Sequence, residues 1–352
     1  MRTGLGAALI GLALILCWPA NEAQARSASI VIDYETGRVL QENRADARNY
    51  PASMTKMMTL YLAFEALERG DIGLDQRLPV SRRAAAMPPS KLGLKAGETI
   101  GVKDALLALT IKSANDAAVV VAEALGRTEG DFARLMSHKA RALGMYRTSF
   151  QNASGLPHLL QLSTARDIAV LARALIRDFP QYYGYFSSPY FVYKGRTYWN
   201  HNRLLRTYRG ADGIKTGYIR ASGYNLAASA RRNGRRLIAV VFGGKSPGSR
   251  DRQIAALLDG AFARLAAHHP GKSPGPSPRK PLLAAAAETT VPARQGIRWN
   301  CGGTSSKSDP AGRASGHVSR DGRLTDLEAE LEEFPVNPRC APEWVLRAHL
   351  PN

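Results

Sequence analysis

The hydrophobic pattern of the chain changes period twice, and this limits the fold more than any other feature of the sequence. Residues 27–45 alternate apolar and polar side chains as a strand does, turn at residues 35–37, and return as a second strand. A helix is predicted from residue 51 to near Gly70, residues 80–101 are irregular, and the apolar residues show helical spacing at about 103–112, 116–126, 131–144 and 164–177. Strand-like alternation returns from residue 190, and residues 251–267 predict a closing amphipathic helix.

Strands on both sides of a helical segment predict an α/β fold. The late strands lie in GIKTGYI, YNLAASARR and RRLIAVVFGG, with Asn233 and Gly234 as a typical hairpin turn between the last two. If early and late strands join one sheet, the helices between them form an inserted subdomain. We therefore expect an antiparallel sheet flanked by helices, with a helical subdomain inserted.

The N-terminus indicates export from the cell. Arg2 gives a short positive start, residues 5–18 are apolar but too few to span a bilayer comfortably, and residues 23–25 (AQA) form a small-x-small cleavage site. Residues 1–25 are therefore predicted to be a secretory signal peptide, and the mature chain to start at Arg26. Cys17 raises the question of lipid attachment, which Leu16 and Trp18 beside it argue against.

The C-terminal part differs in composition from the rest. Residues 26–268 form the predicted catalytic domain, 269–281 a Pro/Gly/Ser linker, and 282–352 a tail of unknown fold with weak periodicity. Cys301 and Cys340 are the cysteines that remain after export. They either form one disulfide in an oxidising compartment or stay as two free thiols.

Ser53 and Lys56 lie one helical turn apart at the start of an apolar helix, in PASMTKMMTLYLAFEAL. A simple interpretation is that Ser53 caps the helix and Lys56 extends to solvent. The alternative is a serine nucleophile with a lysine base, since residues i and i+3 share a face. Such a lysine must be neutral, and lowering its pKa to near 7 requires roughly 4–5 kcal/mol, which burial and a second cation could supply.

Two further short motifs could complete such a site. Lys215, Thr216 and Gly217 lie on a predicted strand, where a lysine and a threonine can bind a carboxylate and a glycine lets a substrate backbone approach. Ser113 and Asn115 lie between two helical patterns. Taken alone, the first motif is equally typical of a turn and the second of a helix cap. Together, S-x-x-K, S-x-N and K-T-G form the set found in β-lactamases and penicillin-binding proteins.

The resemblance extends over residues 28–267. The phrases VIDYETGRVL, IKSANDAAVVVAEAL, STARDIAVLARALIRDFP, NHNRLL and GADGIKTGY resemble the low-molecular-mass penicillin-binding proteins, which are serine-type D-alanyl-D-alanine carboxypeptidases. The resemblance implies the transpeptidase fold shared by β-lactamases and penicillin-binding proteins. It implies a hydrolase that removes the terminal D-alanine from peptidoglycan stem peptides through a serine acyl-enzyme, and that β-lactams acylate.

The resemblance also implies a role for each site residue. Ser53 would attack the peptide carbonyl, Lys56 would take its proton, and Ser113 would relay a proton to the leaving amine. The substrate would be held by the remaining residues: Asn115 at its amide, Lys215, Thr216 and Gly217 along the strand, Tyr218 through a backbone N–H of the oxyanion hole, and Arg250 near the terminal carboxylate. Otherwise Arg250 is a solvated charge at a helix start. The implied chemistry needs no metal and no cofactor.

Two other enzymes use the same motifs. A class A β-lactamase also needs a glutamate before K-T-G to activate the deacylating water, and this chain has no glutamate between Glu129 and Glu288. That absence predicts slow turnover of β-lactams. A DD-endopeptidase that cuts cross-links uses the same residues and stays open as an alternative.

The net charge of +19 permits a different class, a nucleic-acid-binding module. Residues from 269 onward hold 11 bases and 9 acids, so about +17 lies on the catalytic part. Export, dispersed charge and an aromatic content of 7% argue against nucleic acid as a partner. Attraction to anionic peptidoglycan fits better. The tail lacks a basic amphipathic anchor, since DLEAELEEF is acidic, which leaves membrane contact open.

Overall fold

The computed structural model describes residues 27–267. The predicted signal peptide, the linker, the tail and the two cysteines Cys301 and Cys340 lie outside the described residues. In chain order the strands are β1 Ala28–Asp33, β2 Val39–Asn43, β3 Arg77–Pro79, β4 Thr99–Gly101, β5 Tyr190–Tyr193, β6 Arg196–Trp199, β7 Ala211–Ile219, β8 Gly223–Arg232 and β9 Arg235–Gly244. The helices are α1 Lys56–Arg69, α2 Arg82–Ala85, α3 Val102–Leu107, α4 Asn115–Gly126, α5 Glu129–Ala142, α6 Ala165–Asp178, α7 Gly184–Ser187, α8 Leu204–Thr207 and α9 Pro247–Ala267.

One five-stranded antiparallel sheet joins the two ends of the described chain. Its order is β2-β1-β9-β8-β7, so the first strand pairs with the last. The register between β1 and β9 runs from Ala28 opposite Phe242 to Asp33 opposite Leu237. The hairpin turn at Asn233 and Gly234 has positive φ at both residues, as a tight turn between right-twisted strands requires. The predicted pairing of early and late strands is correct.

The helices between β2 and β5 form the inserted part. The sequence predicted helices at about 103–112, 116–126, 131–144 and 164–177, and the structure has α3 to α6 within a few residues of these bounds. The first of them differs, because α3 ends at Leu107 and a π-helical turn, Ala108–Lys112, follows it. Within residues 27–267, none of the helices combines the length and the apolar character needed to span a bilayer.

Two helix starts differ from the prediction. The turn that contains Ser53 is a 3₁₀ turn, Ala52–Thr55, and α1 begins only at Lys56. That helix ends at Gly70, whose φ of 74° is the left-handed conformation that glycine adopts without strain. The closing helix α9 begins at Pro247 rather than at Asp251, since proline is favoured in the first turn of a helix.

Each face of the large sheet packs against its own apolar core. On one face, the sheet packs against α9. The apolar cluster between them includes Val31, Leu226, Leu237, Val241, Ile254, Leu258 and Leu265. On the other face a larger core joins the sheet to α1 and to the inserted helices, with Ile30, Met57, Phe64, Leu106, Val119, Phe132, Leu171 and Phe242 among its members. Since both faces are covered, the central strands β8 and β9 are almost continuously buried.

Candidate active site

Ser53 and Lys56 meet at the junction of the 3₁₀ turn and α1. Ser53 is partly exposed, whereas Lys56 is completely buried. The Lys56 Nζ lies 3.3 Å from the Ser53 Oγ. The residue at the N-cap of α1 is Thr55, not Ser53, and no side chain caps this helix. The capping and solvent-exposed interpretations of this pair are therefore wrong.

Two further acceptors hold the amine of Lys56 in place. The Nζ donates to the Oδ1 of Asn115 at 2.8 Å and to the backbone carbonyl of Ser154 at 2.5 Å. The amide of Asn115 is itself fixed, since its Nδ2 donates to the Pro88 carbonyl at 2.9 Å. A buried amine with three oriented oxygen partners has a defined position next to the serine hydroxyl.

Ser113 owes its position to an unusual local backbone. It follows the π-helical turn and adopts φ 59° and ψ 38°, a left-handed conformation uncommon for residues other than glycine. Ala114 is then extended and leads into α4. This path lets the Ser113 Oγ accept a hydrogen bond from the Lys215 Nζ at 3.0 Å. π-helical turns and left-handed residues are often found at functional sites.

The strand β7 supplies Lys215, Thr216 and Gly217. Lys215 is buried, and its Nζ also contacts the carbonyl of Thr216 at 3.1 Å. Glycine is needed at residue 217 for a reason other than the expected approach of a substrate backbone. A Cβ at this residue would lie 2.8 Å from the Pro51 carbonyl oxygen and 3.2 Å from the Ser53 nitrogen. Glycine therefore lets the turn that contains Ser53 pack directly against the strand.

Gly155 makes a second close approach, which the sequence analysis did not find. It has a φ of 85°, and a Cβ there would lie 1.9 Å from the carbonyl oxygen of Ala52. Ala52 has a positive φ of 49° as well. Gly155 directly follows Ser154. Its contact with Ala52 therefore fixes the position of the loop whose Ser154 carbonyl accepts a hydrogen bond from Lys56. The Ser53 turn is thus packed between β7 and the 153–155 loop.

Tyr218 and Arg250 lie at the edges of this arrangement. Tyr218 is 52% exposed, and its ring stacks on that of Tyr224 with centroids 4.3 Å apart. Arg250 is 4% exposed, so the alternative of a solvated helix-start charge is wrong. Its guanidinium donates to the Oδ1 of Asp251 at 2.7 and 3.0 Å and lies 3.5 Å from the Asn225 carbonyl.

Burial and neighbouring cations lower the pKa of both Lys56 and Lys215. Desolvation, followed by the charge of Lys215, holds the pKa of Lys56 well below its usual range. Desolvation, followed by the charge of Arg250, lowers the pKa of Lys215 to about 7. The lowered pKa makes Lys56 easier to deprotonate, and a neutral amine next to a hydroxyl can accept its proton.

Sequence comparison places this arrangement among known proteins. The profile of the family described as D-alanyl-D-alanine carboxypeptidase matches residues 18–246. The chain belongs to this family. DacF of Bacillus subtilis (strain 168) is 36% identical over 284 residues, which cover 76% of this chain and 73% of DacF. DacA of Escherichia coli (strain K12) is 37% identical over 240 residues, 66% of this chain, and the match spans only 60% of DacA.

Solved structures of a D-alanyl-D-alanine carboxypeptidase and of a penicillin-binding protein share the fold. The structure of the D-alanyl-D-alanine carboxypeptidase DacD from Francisella tularensis is 33% identical, with a TM-score of 0.65 over 67% of this chain and 70% of that one. Penicillin-binding protein D2 from Listeria monocytogenes, solved in its ampicillin-bound form, is 30% identical, with a TM-score of 0.62 over 69% of this chain and 99% of that one. The predictions of fold, family and hydrolase class are confirmed.

Two buried carboxylates support the carboxypeptidase site, and the sequence analysis missed both. Asp116 is fully buried and accepts the backbone N–H groups of residues 92, 93, 94 and 117 at 2.8–3.1 Å. Glu129 is 4% exposed, accepts the N–H of Ala153 at 3.1 Å and forms an ion pair with Arg83. Both negative charges raise the pKa of Lys56, against the larger effects of burial and Lys215. An acid within the apolar run NDAAVVVAEAL was the available sequence clue for Asp116.

His201 lies near three lysines, Lys215, Lys112 and Lys56. Its backbone N–H donates to the Ile111 carbonyl at 3.3 Å. Desolvation of the ring and the charges of Lys215, Lys112 and Lys56 lower the pKa of His201 to about 4, although another side of the residue faces solvent. His201 is therefore neutral at neutral pH. The sequence analysis quoted NHNRLL without assigning this histidine a place in the site.

Proposed function

We propose that the protein removes the terminal D-alanine from peptidoglycan stem peptides through an acyl-enzyme on Ser53. The observation that carries the proposal is the buried amine of Lys56, which lies 3.3 Å from the Ser53 hydroxyl and has a strongly lowered pKa. A lysine in this state is a base rather than a cation. The family membership supports the same activity.

In the acylation step, the Ser53 Oγ attacks the carbonyl carbon of the penultimate D-alanine while Lys56 takes the hydroxyl proton. The backbone N–H groups of Ser53 and Tyr218 stabilise the negative charge that develops on the carbonyl oxygen. The C–N bond then breaks, and the leaving amine receives a proton through Ser113. Support for this relay comes from the Ser113 Oγ, which accepts a hydrogen bond from the Lys215 Nζ at 3.0 Å.

In the deacylation step, water attacks the ester carbonyl and Lys56 again serves as the base. The C–O bond to Ser53 breaks, the serine regains its proton, and the shortened stem peptide leaves. Asn115 holds both the Lys56 amine and the substrate amide during these steps, as its 2.8 Å contact with the amine supports. Penicillin acylates the same serine, and its adduct persists because its leaving group stays tethered.

The terminal carboxylate of the substrate binds at Lys215 and Thr216, with Arg250 behind them. Lys215 donates a hydrogen bond to Ser113, and a substrate carboxylate restores the positive charge of Lys215 by raising its pKa. The guanidinium of Arg250 already pairs with Asp251, so its main contribution is charge rather than a bidentate contact. Gly217 contributes by letting β7 and the Ser53 turn meet.

Benzylpenicillin tests the nucleophile directly. Mass spectrometry of the treated protein should show one added penicillin, located on the peptide that contains Ser53. The variant Ser53→Ala should show no adduct, and Ser154→Ala, which keeps the backbone carbonyl that holds Lys56, should be labelled as the wild type is. Labelling at another serine would contradict the mechanism.

Carboxypeptidase and endopeptidase activity differ in the leaving group. We expect release of free D-alanine from a pentapeptide, and cleavage about a hundredfold slower when its C-terminus is amidated, which corresponds to about 2.7 kcal/mol in the barrier. Chromatography of digested peptidoglycan separates the two activities. Conversion of cross-linked dimers to monomers with pentapeptides untouched would make the protein an endopeptidase.

The enzyme acts outside the cytoplasm, in the periplasm, according to the predicted signal peptide. N-terminal sequencing of the exported protein should give Arg26. The tail is dispensable for chemistry in this proposal, so a protein of residues 26–271 should fold and hydrolyse a pentapeptide at a similar rate. A folded but inactive truncated protein would show that the tail contributes to the site.

A further inference from the structure

The β5–β6 hairpin has an aromatic pair on each of its two faces. On the inner face, Phe191 and Tyr198 are buried and stack with centroids 5.3 Å apart. On the outer face, Tyr190 is 49% exposed, Val192 56% and Trp199 57%. The inner pair already provides the packing that fixes the hairpin. The outer side chains are therefore not needed for the core.

The outer face is a continuous aromatic surface with a cation beside it. Tyr190 and Trp199 are directly opposite in the register, with ring centroids 5.4 Å apart. The guanidinium of Arg206, on α8, lies 5.8 Å from the Trp199 ring centroid. A solvent-facing strand surface normally carries polar side chains. Clustered exposed aromatic rings indicate a surface that binds something.

This surface is close to the carboxypeptidase site. Trp199 is two residues from His201, whose N–H bonds to the carbonyl of Ile111, and Ile111 is two residues from Ser113. With 3.8 Å per Cα step, Trp199 lies no more than about 22 Å from Ser113. An extended stem of five residues spans about 17 Å, and the Trp199 side chain adds further reach. The polymer that carries the stem can therefore contact the hairpin while the stem occupies the site.

The charge around the hairpin also fits that polymer. Residues 190–210 contain no aspartate or glutamate, but they contain several bases: Lys194, Arg196, Arg203, Arg206 and Arg209. Lys194 is paired with Glu98, and Arg203 lies 3.9 Å from Asp251. Arg196 and Arg206 lie over the rings of Tyr198 and Trp199. A polymer whose stems carry free carboxylates is attracted to such a surface.

We propose that the outer face of the β5–β6 hairpin, formed by Tyr190, Val192 and Trp199 with Arg206 beside it, binds the sugar backbone to which the stem peptide is attached. The faces of aromatic rings are electron-rich and attract the C–H groups of a sugar ring, while the sugar hydroxyls stay in water. The proposal rests on the proposed function, since it concerns the same substrate.

The test compares one reaction on two substrates. A free pentapeptide and the same pentapeptide on a short glycan strand are offered to the wild type and to Trp199→Ala. We expect kcat/KM on the glycan-borne substrate to fall about fivefold through KM, and the value on the free peptide to stay unchanged. Trp199→Phe should recover most of the loss. Tyr146→Ala removes another aromatic residue, 81% exposed and outside the hairpin, and should change neither value.

A binding measurement separates this inference from the proposed function. Glycan strands stripped of their stems should bind the wild type in titration calorimetry and bind Trp199→Ala about fivefold more weakly. This result holds even if the wild type cleaves no pentapeptide, an outcome that would contradict only the proposed function. Equal losses on both peptide substrates would show that the hairpin merely supports the site. Binding of anionic lipid vesicles that depends on Trp199, with unchanged glycan binding, would make the surface a membrane contact and overturn the proposal.

Discussion

The two faces of the five-stranded sheet bury different kinds of side chain. From Ile254 onward, α9 buries only apolar side chains: Ile254, Leu258, Ala261 and Leu265. The opposite face, under the inserted helices, also buries Lys56, Asp116 and Glu129. Apolar burial stabilises a fold without fixing any chemistry. Buried charge destabilises the fold unless it is paired, and it creates shifted pKa values that a reaction can use.

Each buried charge on the helical face has oriented partners. Lys56 has three oxygen partners, Asp116 accepts four backbone N–H groups, and Glu129 pairs with Arg83 and the N–H of Ala153. Several of these partners belong to the Ser53 turn and to the 153–155 loop, which build the site. From Ile254 onward, α9 can therefore be altered at a cost in stability alone, whereas the helical face couples stability to catalysis.

The largest expected effect is on the helical face. Lys56→Arg keeps a positive charge but installs a group that does not deprotonate in proteins. Loss of a positioned general base lowers rates by about 10²–10⁴-fold. The rate of acylation by benzylpenicillin, measured at several concentrations, should fall by this amount. Acylation at a near-normal rate would show that Lys56 is not the base.

The matched change on the other face is Leu258→Ala. Leu258 lies on α9 and is completely buried in the apolar cluster between α9 and the sheet. Truncation of a buried leucine destabilises a protein by about 2–5 kcal/mol. Denaturant unfolding should show that loss, while kcat at low temperature stays close to that of the wild type. A large fall in kcat without a fall in stability would mean that the α9 face also shapes the site.

The sequence predicted the two faces unequally. Alternating apolar and polar side chains, together with turn residues, predicted β1, β2 and the late strands. These patterns depend only on neighbouring residues in the chain. The motifs predicted which side chains meet. The sequence did not predict the 3₁₀ turn at Ser53 or the π-helical turn before Ser113, since both have the composition of an ordinary helix. It also missed Gly155 and Glu129, whose partners lie far away in the chain.

A smaller effect concerns Lys215 and pH. Because the pKa of Lys215 is lowered to about 7, the free enzyme loses its carboxylate-binding cation as the pH rises through 7. The value of kcat/KM should therefore fall above about pH 7. A bound carboxylate raises that pKa, so kcat should fall only at higher pH. Lys215→Arg should remove the basic limb from kcat/KM, and a limb that stays in this variant would have to come from another group.

The smallest effect tests whether the charge of buried Glu129 changes the pKa of Lys56. Glu129 raises the pKa of Lys56, so Glu129→Gln should lower that pKa and move the acid limb of kcat/KM to lower pH. Glutamine retains an oxygen that can accept the Ala153 N–H.

Arg83→Gln removes the cation that partly neutralises Glu129, so the acid limb should move in the opposite direction. This second shift should be smaller, because the Arg83 side chain is 60% exposed and water screens its charge. Loop damage in either variant would lower the rate at every pH without moving the limb. Shifts of opposite sign therefore identify an electrostatic effect on Lys56, and shifts of the same sign would contradict it.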